Sequence, residues 1–184
     1  SGFLNPTLSY AEKGYVCITT NYRLTTRDRW RIDHCIADVK NAVRWLRANA
    51  EKYNIDPNRI GATGNSAGAH LSVMLGICPP QAGMEGNGPY SDYSSTVQAV
   101  VASATPTSFL IPMSDRAPEP SQLESQSKSI SPITYVSAES PPMLLFHEES
   151  DRTVGVYQSD TFVQALREAG AKDVNYVLFG DGTG

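Results

Sequence analysis

Ile36, Val39, Val43, Leu46 and Ala50 recur at steps of three and four, the spacing of one apolar stripe along a helix. Lys40, Arg44 and Arg47 interleave with that stripe and are expected to face water. Asn5-Pro6 predicts a capped start for an earlier short helix that Gly14 stops. Two more helices follow from the pattern: Ser66 to Ile77, small-faced and then apolar, and Tyr157 to Ala169, stopped by Gly170. Between these lie short apolar runs rich in β-branched and aromatic residues, the mark of buried strands. They are Tyr15 to Tyr22, Arg59 to Thr63, Val97 to Ser103, Pro142 to Phe146 and Val174 to Phe179. Arg23 to Asp33 and the Gly/Pro/Ser-rich Cys78 to Ser95 read as loops, and Asn54 to Asn58 as a turn. Strands alternating with helices predict the α/β class, with a mostly parallel sheet flanked by helices in three layers. No repeat or linker interrupts the 184 residues, so residues 1–184 are expected to form a single domain.

Composition narrows the function. Fifteen Lys+Arg stand against 19 Asp+Glu, interspersed, for a net charge of −4, which argues against nucleic acid as a partner. No apolar run approaches the ~18 residues a membrane span needs, so a soluble domain without a membrane partner is expected. No signal peptide opens the sequence; the compartment stays open, with the cytoplasm favoured. Cys17, Cys35 and Cys78 are an odd, widely spaced set that reads as small packed residues, and no His/Cys spacing suggests a metal. Residues 104–140 hold most of the remaining Pro and Ser, and so long an irregular stretch is expected to face substrate.

The sharpest chemical signal is Gly64-Asn65-Ser66-Ala67-Gly68, placed where a predicted strand becomes a predicted helix. Such a strained turn lifts a serine hydroxyl over the carboxyl end of a sheet, and its glycines avoid clashes between neighbouring side chains. The Ala67 N–H, at the start of the helix, would face an anionic oxygen. The competing reading is an ordinary turn with Ser66 as a helix cap. A serine needs a base, and the base an orienting acid, in the chain order Ser, acid, His. Asp151, just past the Pro142 to Phe146 run, is the expected acid, with Glu148 and Glu149 as competitors that read better as a solvated loop edge. No histidine follows the last strand, where Gly180-Asp-Gly-Thr-Gly184 stands. His147 is the remaining candidate base, though a packed structural role suits it; His70 points away from the turn, and His34 reads as a surface or capping residue.

Taken together these residues resemble the α/β-hydrolase superfamily, nearest to bacterial esterases and lipases of the hormone-sensitive-lipase-like and feruloyl-esterase-like (BD-FAE) type. The similar stretches are Gly14 to Leu24, Asp38 to Asn49, Asn54 to Gly61 leading into Ser66, Val97 to Val101, Ser131 to Thr134, and Pro141 to His147 with Asp151. The resemblance implies Ser66 as nucleophile, Asp151 as acid, a small-molecule carboxylic ester as substrate, an acyl-enzyme, and no cofactor. Three departures stand out. Thr183 occupies the place of the family's catalytic histidine, Glu148 stands where the family has glycine, and the family's His-Gly-Gly-Gly oxyanion loop precedes the segment with which this sequence begins. The strand that carries that loop lies in the family between those formed here by Tyr15 to Tyr22 and Arg59 to Thr63, so the expected fold is a truncated α/β-hydrolase. Its missing central strand would leave two rows of backbone groups unpaired. Either the two flanking strands close on each other, or a neighbouring chain in a homo-oligomer fills the gap, or the chain is a piece of a longer protein. The leading functional expectation is a serine esterase weakened by the missing histidine, with residues 104–140 forming part of the acyl pocket. The rival is a non-catalytic module that binds a ligand or partner, and a peptidase is a third reading without a pocket signature to support it.

Overall fold

A computed structural model of the chain describes residues 4–25, 31–115 and 124–180. In chain order the helices and strands are α1 (Leu4–Ala11), α2 (Ile32–Ala48), α3 (Ala50–Tyr53), β1 (Gly61–Asn65), α4 (Ala67–Ile77), β2 (Ala99–Ser103), α5 (Glu124–Ile130), β3 (Met143–Glu148), α6 (Tyr157–Glu168) and β4 (Val174–Phe179). Short 3₁₀ turns cover Pro80–Ala82 and Pro132–Tyr135. The four strands form one parallel sheet in the order β1-β2-β3-β4, the truncated α/β-hydrolase arrangement.

Register explains which residues make the core. Val100 pairs with Met143 and Ala102 with Leu145, and both pairs are buried on one face of the sheet. α4 packs on that face, where a Cβ on Gly76 would touch the side chains of Val100 and Met143. Phe162, Val163 and Leu166 of α6 and Ile36, Val39 and Val43 of α2 complete one continuous cluster. On the opposite face Val101, Leu144 and Phe146 stay half-buried and Val177 is exposed, so the sheet is covered tightly on one side only among the described residues.

Two expectations fail for physical reasons. Tyr15 to Tyr22 is extended but forms no strand: Tyr15 is 64% exposed, Val16 53% and Ile18 45%. A run of this composition becomes a strand only beside a partner. No strand among the described residues pairs with the outer edge of β1, so the two flanking segments do not close on each other as a sheet. Residues 18–21 instead border a groove with Asp38, Asn41, Ala42 and Trp45 of α2. Arg23 ties the segment down, its backbone N–H and guanidinium both donating to the Asp38 carboxylate.

Lys40 and Arg44 do not face water; they are 0% and 2% exposed. Lys40 Nζ donates to Glu85 Oε1 at 2.7 Å, to the Cys78 carbonyl at 2.9 Å and to Ser95 Oγ at 3.3 Å. Arg44 pairs with Glu85 Oε2 and donates to the Glu85 carbonyl at 2.7 Å. A buried cation survives only when paired and hydrogen-bonded, and the 78–95 loop folds over α2 to supply that partner. Arg47 is half-buried and donates to the carbonyls of Pro57, Ser94 and Thr96. Cys35 and Cys78 are buried as expected of small packed residues, whereas Cys17 is half-buried on the extended segment; all three are free thiols.

Candidate active site

β1 runs two residues further than the pattern suggested, to Asn65, and α4 starts at Ala67. The whole reversal therefore falls on Ser66, whose φ of 54° and ψ of −119° lie in a region non-glycine residues avoid. Its backbone N–H donates to the Ser103 carbonyl at 2.9 Å, and its carbonyl accepts from the His70 N–H at 3.0 Å. Those two bonds fix the strained turn between β2 and the first turn of α4. The side chain does not cap the helix, and its hydroxyl has no hydrogen-bond partner among the described residues. The Ala67 N–H, as one of the first donors of α4, has no intrahelical acceptor.

The two glycines of the motif are not equivalent. A Cβ on Gly64 would collide with the carbonyl carbon and oxygen of Gly68 and sit 2.8 Å from the Ala69 nitrogen. A Cβ on Gly68 would meet nothing within 4 Å, so the steric demand expected at both positions holds only at Gly64.

Ser66 opens onto a cleft of about 350 Å³ that it shares with Asp151, together with Asn65, Ser103, Ala104, Glu148, Thr153, Val154 and Phe179. Asn65, Ser103, Glu148 and Phe179 are the last residues of β1, β2, β3 and β4. The cleft therefore lies over the carboxyl ends of the strands, where open α/β sheets bind ligands. Asp151 Oδ1 accepts the N–H groups of Thr153 at 2.8 Å and Val154 at 3.0 Å, which locks the carboxylate in its turn. Of the described part of residues 104–140, Ala104 alone lines the cleft, itself at a φ of 50°. Thr107 and Ser108 are instead buried against Gln158 of α6, whose side-chain oxygen accepts both of their N–H groups.

His147 is fully buried and both its nitrogens are engaged. Nε2 lies 2.9 Å from the Val154 carbonyl, which only an N–H can satisfy, and Nδ1 lies 2.7 Å from the Ser159 hydroxyl. Asp151 Oδ2 is 3.7 Å from Nε2, beyond hydrogen-bond reach. In this arrangement His147 braces the Asp151 turn and offers Ser66 no lone pair. His70 is buried as well. Its Nε2 donates to the Ile130 carbonyl at 2.7 Å, its ring meets Phe109 edge-on, and burial pushes its pKa down to about 4. His34 is half-buried at the start of α2. Thr183 lies outside the described residues.

A family model, BD-FAE, matches residues 2–166. The chain belongs to the BD-FAE family. Among curated relatives, the "Probable carboxylic ester hydrolase LipM" of Mycobacterium tuberculosis is 33% identical over 95% of this chain and 43% of its own length. A solved structure described as a truncated form of a carbohydrate esterase from gut microbiota is 31% identical, with a TM-score of 0.78, over 89% of this chain and 65% of that one. Thermogutta terrifontis esterase 2, phosphorylated by paraoxon, is 28% identical with a TM-score of 0.79 over 97% of this chain and 64% of that one. This BD-FAE chain thus spans about two fifths of the curated relative's length and about two thirds of the solved ones.

Sequence reasoning missed Ser103, Thr153, Val154 and Phe179 as lining residues, reached Ala104 only as the first residue of the 104–140 stretch, and set Glu148 aside as a loop edge. Placing them needs the strand register, because it is the pairing of β2, β3 and β4 that brings their last residues level.

Proposed function

We propose that the chain carries the nucleophile, the acid and one oxyanion donor of a serine carboxylic-ester hydrolase. The observation that carries this reading is Ser66 itself: a non-glycine residue held at a φ of 54°, with an unbonded hydroxyl on the cleft that Asp151 lines. Backbone strain of this kind costs about 1–3 kcal/mol and persists where function uses it.

Chemically, Ser66 Oγ adds to the ester carbonyl as solvent water takes its proton, and water returns one to the departing alkoxide. The negative oxygen of the tetrahedral intermediate faces the Ala67 N–H at the positive end of α4. Collapse expels the alcohol and leaves an acyl-serine, which water then cleaves to release the carboxylic acid and restore the hydroxyl. The resemblance puts the base that Asp151 would orient at position 183, where this chain has threonine, and no imidazole lines the cleft among the described residues. Turnover is therefore slow, of the order of the residual ~10³–10⁴-fold acceleration that positioning and oxyanion contacts supply when a triad member is missing.

The test is hydrolysis of p-nitrophenyl acetate, with Ser66→Ala as the control. Slow release of nitrophenolate that disappears in Ser66→Ala supports the proposal, and release indifferent to that change refutes it. A second reading, a ligand-binding module without turnover, is favoured by the engagement of both His147 nitrogens. It predicts binding in the cleft with no Ser66-dependent release.

A further inference from the structure

At the floor of the cleft one strand end is a carboxylate. Glu148 pairs in register with Phe179, and on the same half-exposed face Phe146 pairs with Ser103, so the Glu148 side chain rises beside the cleft that Ser66 opens onto. Asp151 and Glu148 are both acidic, and no lysine or arginine lines this cleft among the described residues. The two carboxylates differ in how far they are already satisfied. Asp151 Oδ1 accepts two backbone N–H groups, whereas Glu148 accepts only the Ser150 hydroxyl, through Oε1 at 2.8 Å, and its Oε2 has no partner among the described residues. Arg152 is exposed and, like Glu149, lies outside the lining. Next to Ser66 along the chain, the Ala67 N–H at the start of α4 favours negative charge, but only where the ester oxygen develops it.

We infer that Glu148 is a specificity-determining residue, which biases the cleft toward esters carrying a cationic group and against esters carrying an anionic one. The inference rests on the proposed reading that the ester binds beside Ser66. Glu148 touches no reacting atom; it acts on the charge of the part of the ester that lies across the strand ends. For one partly exposed charge the effect is modest, roughly two- to fivefold in affinity.

Three amides that share a butanoyl group and resist hydrolysis isolate the effect: N-(3,3-dimethylbutyl)butanamide, its trimethylammonium isostere, and N-butanoyl-β-alanine. Their dissociation constants are read from amide shifts of Asn65, Thr153 and Val154 by NMR. The ammonium probe is expected to bind two- to fivefold tighter than the neutral one, and the carboxylate probe weaker by a similar factor. Glu148→Gln narrows the spread among the three, the Asp151 charge remaining, and Glu149→Gln, which removes the same charge outside the lining, leaves the spread as in the parent. Equal affinities in the parent chain, or a spread undiminished in Glu148→Gln, overturn the inference. Should Glu148→Gln fail to fold, raising the salt from about 20 to about 500 mM must collapse the difference, and a salt-independent order overturns the inference equally. Paraoxon labelling of Ser66 keeps the two ideas apart. Charge order without labelling refutes the hydrolase reading alone, and labelling without charge order refutes this one alone.

Discussion

Gly64→Ala tests the packing that holds the Ser66 turn in place. The added methyl would land on the Gly68 carbonyl and within 2.8 Å of the Ala69 nitrogen, all of them backbone atoms of the first turn of α4 that have no rotamer to escape into. Relief requires α4 to back away from β1, against its packing on β1, β2 and α2. Overpacking of this kind costs about 1–3 kcal/mol. Gly68→Ala is the matched control. Its methyl meets nothing within 4 Å, and alanine in place of a helical glycine gains up to about 1 kcal/mol. Urea unfolding followed by circular dichroism should therefore shift the two variants in opposite directions, Gly64→Ala down and Gly68→Ala level or up. A typical domain has about 5–15 kcal/mol of stability, so both stay folded in buffer and can be compared for Ser66 reactivity, which should fall in Gly64→Ala. If Gly64→Ala is as stable as the parent, or if both variants lose stability equally, β1 and α4 do not meet as described and the turn argument is wrong.

Glu85→Gln should destabilise the chain by about 2–3 kcal/mol, because it leaves Lys40 and Arg44 buried without a counter-charge; urea unfolding reads it directly. Burial pushes the Glu85 carboxyl up, but hydrogen bonding and charge from Lys40, then Ser95 and Arg44, hold it below its ordinary 4.5. Its contribution is thus complete above about pH 4.5 and is lost as pH falls through the lower folded value, a fall absent from Glu85→Gln. His70 adds a loss in the same direction. Burial holds it at about 4 against 6.5 in the unfolded chain, so stability should decline by up to about 1.4 kcal/mol per unit as pH drops from 6.5 to 4. His70→Gln should remove that slope. Thr183→His, which places an imidazole where the family has one, should raise p-nitrophenyl acetate hydrolysis about 10²-fold, and Ser66→Ala should abolish the gain.

The sequence displays what depends on neighbours close along the chain. The apolar period of α2, the stop at Gly170 and the Gly64–Gly68 turn are local patterns, and each appears near its expected place. What it hides depends on distant partners. Lys40 and Arg44 look like surface cations until Glu85 arrives from a loop 45 and 41 residues away. Tyr15 to Tyr22 has the composition of a strand, but a strand needs a ladder, and the edge of β1 offers it none among the described residues. For the candidate site, motif and chain order pointed to Ser66 and Asp151, and both line one cleft. Glu148 and Phe179 were not legible, since only the pairing of β3 with β4 makes them neighbours at the cleft.

The most direct measurement is peptide mapping by mass spectrometry after exposure to paraoxon, the reagent that phosphorylates the Thermogutta relative. One diethylphosphate group on the peptide containing Ser66, and none in Ser66→Ala, is the predicted result. An unmodified Ser66 peptide, or phosphate distributed over other hydroxyls, would contradict a hydroxyl held ready at that turn.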